Sequence, residues 1–488
     1  MRRLFLPLLI LAVVITASVL ADRANRAADA GEPDTTVATD SLGTPIVNVR
    51  RIPEWLRQPT SNQEFEEALQ GVLSQPDVPV DRCLRVHRNG TEIAVENPDS
   101  SLTPAELQRF VTVAAVESLG RETVFVTKVV SNEASPVNEG VLEGDIWLVG
   151  GADPVLSTNE YLTRFDDDRA STSLDQLAAE LAVELRRRGI SEIGGGVVGD
   201  EFRFSPSETD YVGTVWTETD NADNVVGPLS GLLVNDGFLW DRQTNTVTRS
   251  EDPAAMAAGI LTDLLVQRGI AVTEEPTTGE QPASAEQILL ATIESPPIEE
   301  IAQRALIDGT TAEMLFKEVG RVNGLSPASN DAAFGMLITL LQQGLPVEGS
   351  LPLDGSGLSN RGRVTCDLLM GIVEQSPEGG IVSSSLKSIR TSSLADCAPA
   401  GAYNMRIISA DRGHITALAG EMTADNGSLI TFVLIANADT VVGTDSLGPC
   451  NSVQRSLLEA IARYPDRYGP TPESIAALAP VPAPETQG

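Results

Sequence analysis

The stretch ITALAGEMTADNGSLITFVLIA, residues 415–436, carries the reading on which the fold turns. Ile415 to Gly420 and Leu429 to Ala436 are two runs of aliphatic and β-branched residues, the second apolar almost throughout. Side chains alternate between the faces of a strand, so a strand covered on both faces reads as a continuous apolar run. Both segments are expected to be central strands of a sheet.

Outward from that pair, Asn451 to Tyr464 reads as the last helix, and Val364 to Val373 and Ala312 to Val319 as helices before the sheet strands. Earlier in the chain, Leu174 to Arg187 and Ala254 to Gln267 have helical patterns, and Leu232 to Val234 reads as a strand entering Asn235-Asp236-Gly237. Val124 to Val130 and Asp145 to Val149 are β-rich. Pro104 to Leu119 is a helix with Pro in its first turn, Gly120 at its end, and Val111, Ala114, Ala115 and Leu119 as its buried stripe. Cys83 to Val95 is a hairpin turning at Arg88-Asn89-Gly90, and Asn62 to Leu73 is an amphipathic helix. Polar, Pro-containing runs at 24–53 and 276–285 read as linkers, and the Pro- and Ala-rich C-terminus as a disordered tail.

Of 488 residues, 68 are Asp or Glu and 34 are Lys or Arg, a net charge of −34. Such a surface repels phosphate backbones and anionic lipid, so no nucleic-acid partner is expected. Arg2 and Arg3 precede an apolar run from Leu4 to Leu20, the pattern of a signal peptide or uncleaved anchor, and any membrane contact is expected through that segment alone. Cys83, Cys366, Cys397 and Cys450 contain no C-x-x-C pair. In an oxidising compartment they allow up to two disulfides, with Cys397–Cys450 one of three pairings. His87 and His414 are the only histidines and read as structural or surface residues; no metal or cofactor is expected.

Several stretches resemble one family. Asn97-Pro98-Asp99, Pro104-Ala105 and Ala114 through Gly120 are similar to the active-site helix region of the D-alanyl-D-alanine carboxypeptidase/endopeptidase family, the class C low-molecular-mass penicillin-binding proteins. Gly150-Gly151-Ala152-Asp153-Pro154 resembles the family's Gly-Gly-x-Asp-Pro turn, Gly196 to Asp200 and Leu233 to Asp236 its inserted domain, and Asp354-Gly355-Ser356-Gly357-Leu358-Ser359 its Asp-Gly-Ser-Gly-Leu-Ser loop. Ala417-Leu418-Ala419-Gly420 matches the strand after its last motif, and these landmarks run in family order. The resemblance implies an α/β (α+β) fold: a transpeptidase-like domain, an antiparallel sheet with flanking helices, interrupted by a large inserted domain. The expected divisions are a signal or anchor at 1–23, a linker at 24–60, the transpeptidase-like domain at 61–155 and 290–465, the insertion at 156–289 and a tail at 466–488.

Family members acylate a serine of a Ser-x-x-Lys motif, relay protons through Ser-x-Asn and bind the substrate carboxylate with Lys-Thr-Gly. After Pro104-Ala105 the nucleophile's place is taken by Glu106 and the lysine's by Arg109, which stays protonated and cannot act as a base. Counting back from Ala312-Glu313-Met314-Leu315, the second motif becomes Ile307-Asp308-Gly309. Counting back from Ala417, the third becomes Ile408-Ser409-Ala410, with Lys387-Ser388-Ile389 and Arg390-Thr391-Ser392 as rival placements. No intact catalytic residue is expected. Glu106 and Arg109 are expected to neutralise each other one turn apart, Asp308 to cap a helix, and Glu106, Arg109, Asp308 and Ser409 to line a binding groove. Ser356 is expected to be structural rather than a nucleophile. The resulting expectation is an exported, peptidoglycan-associated protein without catalysis, binding a peptidoglycan stem peptide or an envelope protein. The alternative is an active serine-type carboxypeptidase whose motifs lie in another register.

Overall fold

The computed structural model describes residues 54–465 except 77, 133–135, 167–168, 205–214, 218–224, 283–286, 324–330, 376–379, 389–404, 413 and 439–449. The expected signal or anchor and the tail lie outside the described residues. In chain order the principal elements are α1 (Glu54–Leu73), the hairpin β1 (Asp81–Arg88) and β2 (Thr91–Glu96), α2 (Gln108–Val116), β3 (Val126–Asn132), β4 (Ile146–Val149), α3 (Leu174–Arg187), β5 (Val197–Asp200), α4 (Pro253–Gln267), β6 (Thr277–Thr278) and β7 (Gln287–Glu294). There follow α5 (Ile298–Ala305), α6 (Gly309–Val322), α7 (Asp331–Gln342), α8 (Cys366–Gln375), α9 (Ile381–Ser388), β8 (Met405–Asp411), β9 (Ile415–Thr423), β10 (Leu429–Asn437) and α10 (Ser452–Arg463).

The central sheet has the order β8-β9-β10-β1-β2 and is antiparallel throughout. It joins strands from the two ends of the chain, with Leu84 opposite Leu434 and Leu418 opposite the same residue. Period-2 alternation divides its side chains between two cores. Leu84, Val86, Leu418, Phe432 and Leu434 pack against Phe65 and Leu69 of α1 and Leu457 and Ile461 of α10. Ala417, Ala419, Val433 and Ile435 face the other way, onto a helical layer containing Phe110 of α2, Phe316 of α6 and Leu369 of α8. Covering on both faces is why 429–436 reads as an unbroken apolar run. The hairpin β1–β2 turns at Asn89 and Gly90 with φ 48° and 74°, a left-handed pair that Asn-Gly adopts most readily.

A second five-stranded sheet has the order β6-β5-β4-β3-β7, parallel across β6-β5-β4 and antiparallel across β4-β3-β7. Helices α3 and α4 cover it through Leu177, Leu181, Leu261 and Leu265. Its strands β3 and β4 come from 126–149, ahead of the expected division at 155/156, so that division does not coincide with a break between sheets.

Three local expectations need correction. The run at 276–285, read as a linker, supplies the edge strand β6 of the second sheet at Thr277–Thr278. Residues 54–60, read as linker, belong to α1: Pro59 looks like a breaker but sits inside the helix, whose Phe65 and Leu69 anchor it on the sheet. Leu232 to Val234 is not a strand; it is an irregular buried segment leading into a 3₁₀ turn at Asn235–Gly237. Its three apolar side chains are satisfied by burial, Leu232 and Val234 in the core under the second sheet and Leu233 in a cluster with Phe204 and Trp216, without a ladder partner.

One disulfide joins Cys83 of β1 to Cys366 at the start of α8. Cys450 is disulfide-bonded as well, while Cys397 lies outside the described residues.

Candidate functional site

Glu106 sits in a 3₁₀ turn, Ala105–Leu107, that leads into α2. Ala105 is held at φ 47°, a conformation that carries strain for a residue with a Cβ. The 354–359 loop holds it there. A Cβ on Gly357, itself at φ 83°, would lie 1.8 Å from the Ala105 carbonyl oxygen, so only glycine allows this backbone approach. The loop is a buried hydrogen-bonded unit. Asp354 accepts from the Gly357 and Ser359 amides at 3.0 and 2.6 Å and from the Trp216 indole at 2.7 Å. Oε1 of Glu313, on α6, accepts from the Gly355 and Ser356 amides and the Ser356 hydroxyl at 2.9, 2.8 and 2.7 Å. Ser356 is fully buried and its hydroxyl is spent on that carboxylate, in keeping with a structural role. Burial, with the nearby Asp354 charge adding to it, holds the Glu313 carboxyl up at about 8.

The expected Glu106–Arg109 pair is not what forms. Glu106 is bound by Arg412, whose Nε and Nη2 both donate to Oε1 at 3.0 and 2.5 Å. Burial pushes the Glu106 carboxyl up, but the Arg412 charge and hydrogen bonds, helped by the Arg109 charge, leave it below the ordinary glutamate value. Arg109 points inward and is buried, its Nε donating to the Ser356 carbonyl at 3.2 Å. It lies within electrostatic reach of Glu106, Asp308, Arg412 and Asp354. The two side chains still act on each other through charge, but the Arg109 Nε is given to the Ser356 carbonyl, and the hydrogen bonds to Glu106 come from Arg412 of the β8–β9 hairpin. Arg412 was missed from the sequence. Its signal is its place in the β8–β9 hairpin, four residues after Ile408, and that position becomes meaningful only once the hairpin lies beside the turn of Glu106.

Asp308 caps α6, accepting from the Thr311 amide at 2.7 Å. Burial raises its carboxyl, and Arg304, 3.8 Å away, together with the Thr311 bonds brings it below the ordinary aspartate value. Arg304 also binds Asp236 at 2.6 Å, and the Tyr161 hydroxyl donates to the other Asp236 oxygen at 3.1 Å. Ile307 is 51% exposed, whereas Gly309 is buried against Val225 and Val226. Ile408 is buried on β8 opposite Ala419, and Ser409 is partly exposed opposite Leu418. Of the rival third-motif residues, Lys387 is on helix α9 and 389–392 lie outside the described residues. The structure thus gathers Glu106, Arg109 and Asp308 with Arg412, near the end of the strand carrying Ser409. The arrangement contains two arginines and two carboxylates. It can bind charge, and Arg109 offers no neutral form that could take a proton. A separate cleft of about 510 Å³ is lined by Lys128, Asp200, Arg203 and Glu280 and by Gly150 and Gly151 of the Gly-Gly-x-Asp-Pro turn, and none of Glu106, Arg109, Asp308 and Ser409 lines it.

Comparison with known families matches residues 66–248 and 240–455 to the D-Ala-D-Ala carboxypeptidase 3 (S13) family. The chain belongs to this family. Carboxypeptidase DacB of Mycolicibacterium smegmatis is 25% identical over 477 residues, covering 92% of this chain and 95% of that protein. A D-alanyl-D-alanine carboxypeptidase of an Actinomadura species is 23% identical over 460 residues, covering 78% and 80%. Among solved structures, penicillin binding protein 4 (dacB) from Haemophilus influenzae superimposes with a TM-score of 0.62 at 20% identity, covering 81% of this chain and 99% of that one. The expected fold, an antiparallel sheet with flanking helices of the transpeptidase type, is the fold of this D-Ala-D-Ala carboxypeptidase family member.

Proposed function

We propose that this member of the carboxypeptidase family works outside the cytoplasm as a peptide-binding protein of the cell envelope and does not hydrolyse its ligand. The observation that carries the reading is the pairing at the helix start. The family position for a nucleophile holds Glu106, which is tied to Arg412, and the position for a base holds Arg109, which is buried on the Ser356 carbonyl. Acylation needs a hydroxyl that can lose its proton and a base with an accessible neutral form. Glu106 supplies no hydroxyl, and a guanidinium stays charged at any physiological pH. Ile307 and Gly309 bring no hydroxyl or amide to a relay, and Ile408 brings no cation to a substrate carboxylate. The groove keeps its shape because the loop at 354–359 and the cap at Asp308 hold its backbone independently of chemistry. Export is supported by Arg2, Arg3 and the apolar run to Leu20, and by a disulfide between Cys83 and Cys366, a bond that persists in oxidising compartments. Among the described residues no helix is long and apolar enough to cross a membrane. The ligand is a peptidoglycan stem peptide, the substrate class of the family.

The test is incubation of purified protein with a labelled penicillin, alongside an assay for D-alanine released from a cell-wall pentapeptide. Neither an adduct nor free D-alanine is expected. A stable adduct mapped by mass spectrometry to any serine returns the chain to the working carboxypeptidases.

A further inference from the structure

The cluster around Glu106 contains a pairing that is chemically incomplete. Arg412 presents the edge of its guanidinium formed by Nε and Nη2, the edge that meets a carboxylate with two parallel hydrogen bonds. Glu106 answers both nitrogens with one oxygen. Its other oxygen, Oε2, is buried and has no hydrogen-bond partner. An unpartnered buried carboxylate oxygen costs free energy that a forked pair would not. The contact is therefore weaker than the same guanidinium could make with a carboxylate free to approach in plane. Both side chains still reach solvent, at 18% and 22% exposure, so a ligand can approach them. The Arg412 backbone is fixed in the hairpin: its amide donates to Ile415 at 3.0 Å and its carbonyl accepts from His414 at 2.8 Å.

We propose that Arg412 is the carboxylate-binding cation of this groove, kept occupied by Glu106 until the terminal carboxylate of a peptide displaces it. The inference rests on the peptide-binding reading and names the end of the peptide that is recognised. Two facts point to Arg412. Ile408 leaves its own position without a charge, and Arg109, the other cation acting on Glu106, is buried with its Nε already donated to Ser356. Displacement exchanges one carboxylate for another, so the charge at Arg412 stays compensated throughout. The incoming group can bring two oxygens to the Nε/Nη2 edge, and Glu106 can turn its freed carboxylate to water. A peptide ending in an amide carries no charge to compete with Glu106 and gains nothing from Arg412.

The experiment titrates the full chain with a fluorescent stem pentapeptide ending in a free carboxylate, and with the same peptide amidated, read by anisotropy. The wild type is expected to prefer the acid by roughly tenfold, the scale of one charge-assisted pair. Glu106→Gln removes the internal competitor and is expected to raise the preference for the acid over the amide several-fold. Arg412→Gln is expected to abolish the preference, and Arg412→Lys to restore part of it, with thermal melting checking that each variant is folded. Equal binding of acid and amide, or a preference that survives in folded Arg412→Gln, overturns the inference and leaves the peptide-binding reading standing. Failure of both wild type and Glu106→Gln to bind either peptide overturns the two together.

Discussion

At the scale of single residues, the two arginines beside Glu106 do different work. Arg412 is partly exposed and pairs through one oxygen, so Glu106→Gln is expected to cost no more than about 1 kcal/mol of stability. Arg109 is buried, and its loss leaves the Ser356 carbonyl without that donor and takes one cation from among Glu106, Asp308 and Asp354. Arg109→Ala is therefore expected to lower stability by about 3 kcal/mol, read as a fall in melting temperature several times that of Glu106→Gln. Equal shifts for the two variants would contradict the assignment. Glu313 gives a pH signature. Its folded carboxyl titrates at about 8, above its ordinary value, so between the two the folded state binds the extra proton and stability falls as pH rises. Glu313→Gln keeps an oxygen for the three donors of the loop and cannot ionise. The variant is expected to lose less stability than wild type between pH 5 and 8, measured by denaturant unfolding; parallel profiles would refute the assignment.

At the scale of elements, the central sheet is closed by strands from opposite ends of the chain, and the Cys83–Cys366 bond pins β1 to α8 on its helical side. Its sequence separation of 283 residues means that it restricts a very long loop in the unfolded chain. The double variant Cys83→Ser, Cys366→Ser is expected to lose about 2–5 kcal/mol, seen as a lower urea midpoint with native secondary structure retained in the absence of denaturant. An unchanged midpoint would show that packing of α8 alone sets the geometry. The elements most legible in the sequence were those with strong periodicity and explicit ends. Leu174–Arg187 is found as read, and α10 carries a capping box at Asn451 and Gln454. The start of α1 was not legible, because Pro59 mimics a boundary and the packing that overrides it comes from the β1–β2 hairpin and from α10, some 400 residues away in the chain.

Across the whole molecule, the region of the second sheet meets the helical layer through buried charge. Arg304 of α5 is 2% exposed and Asp236, from the irregular segment after Val234, is 6% exposed. Burial works against the charge on Arg304, and Asp236 and Asp308 outweigh it, while burial holds the Asp236 carboxyl up at about 6. Arg304→Met would leave Asp236 buried without its cation, and a loss of roughly 3–5 kcal/mol is expected, read from denaturant unfolding. Adding Asp236→Asn should recover part of that loss, because the uncompensated charge goes with it; a double variant no better than the single would show that the charges are not the coupling.

What the amino-acid sequence determined by itself was the family and the fold class. Those follow from local pattern and from the order of landmarks along the chain, which survive without knowledge of contacts. Tertiary structure alone decided whom each charge meets. A guanidinium at 109 reads as one turn from Glu106, yet its Nε donates to the Ser356 carbonyl, and the hydrogen-bond partner of Glu106 arrives from a hairpin 306 residues later. Charge pairing depends on distances of a few ångströms between segments remote in sequence, and only the folded sheet, which brings the hairpin beside the helix start, sets those distances.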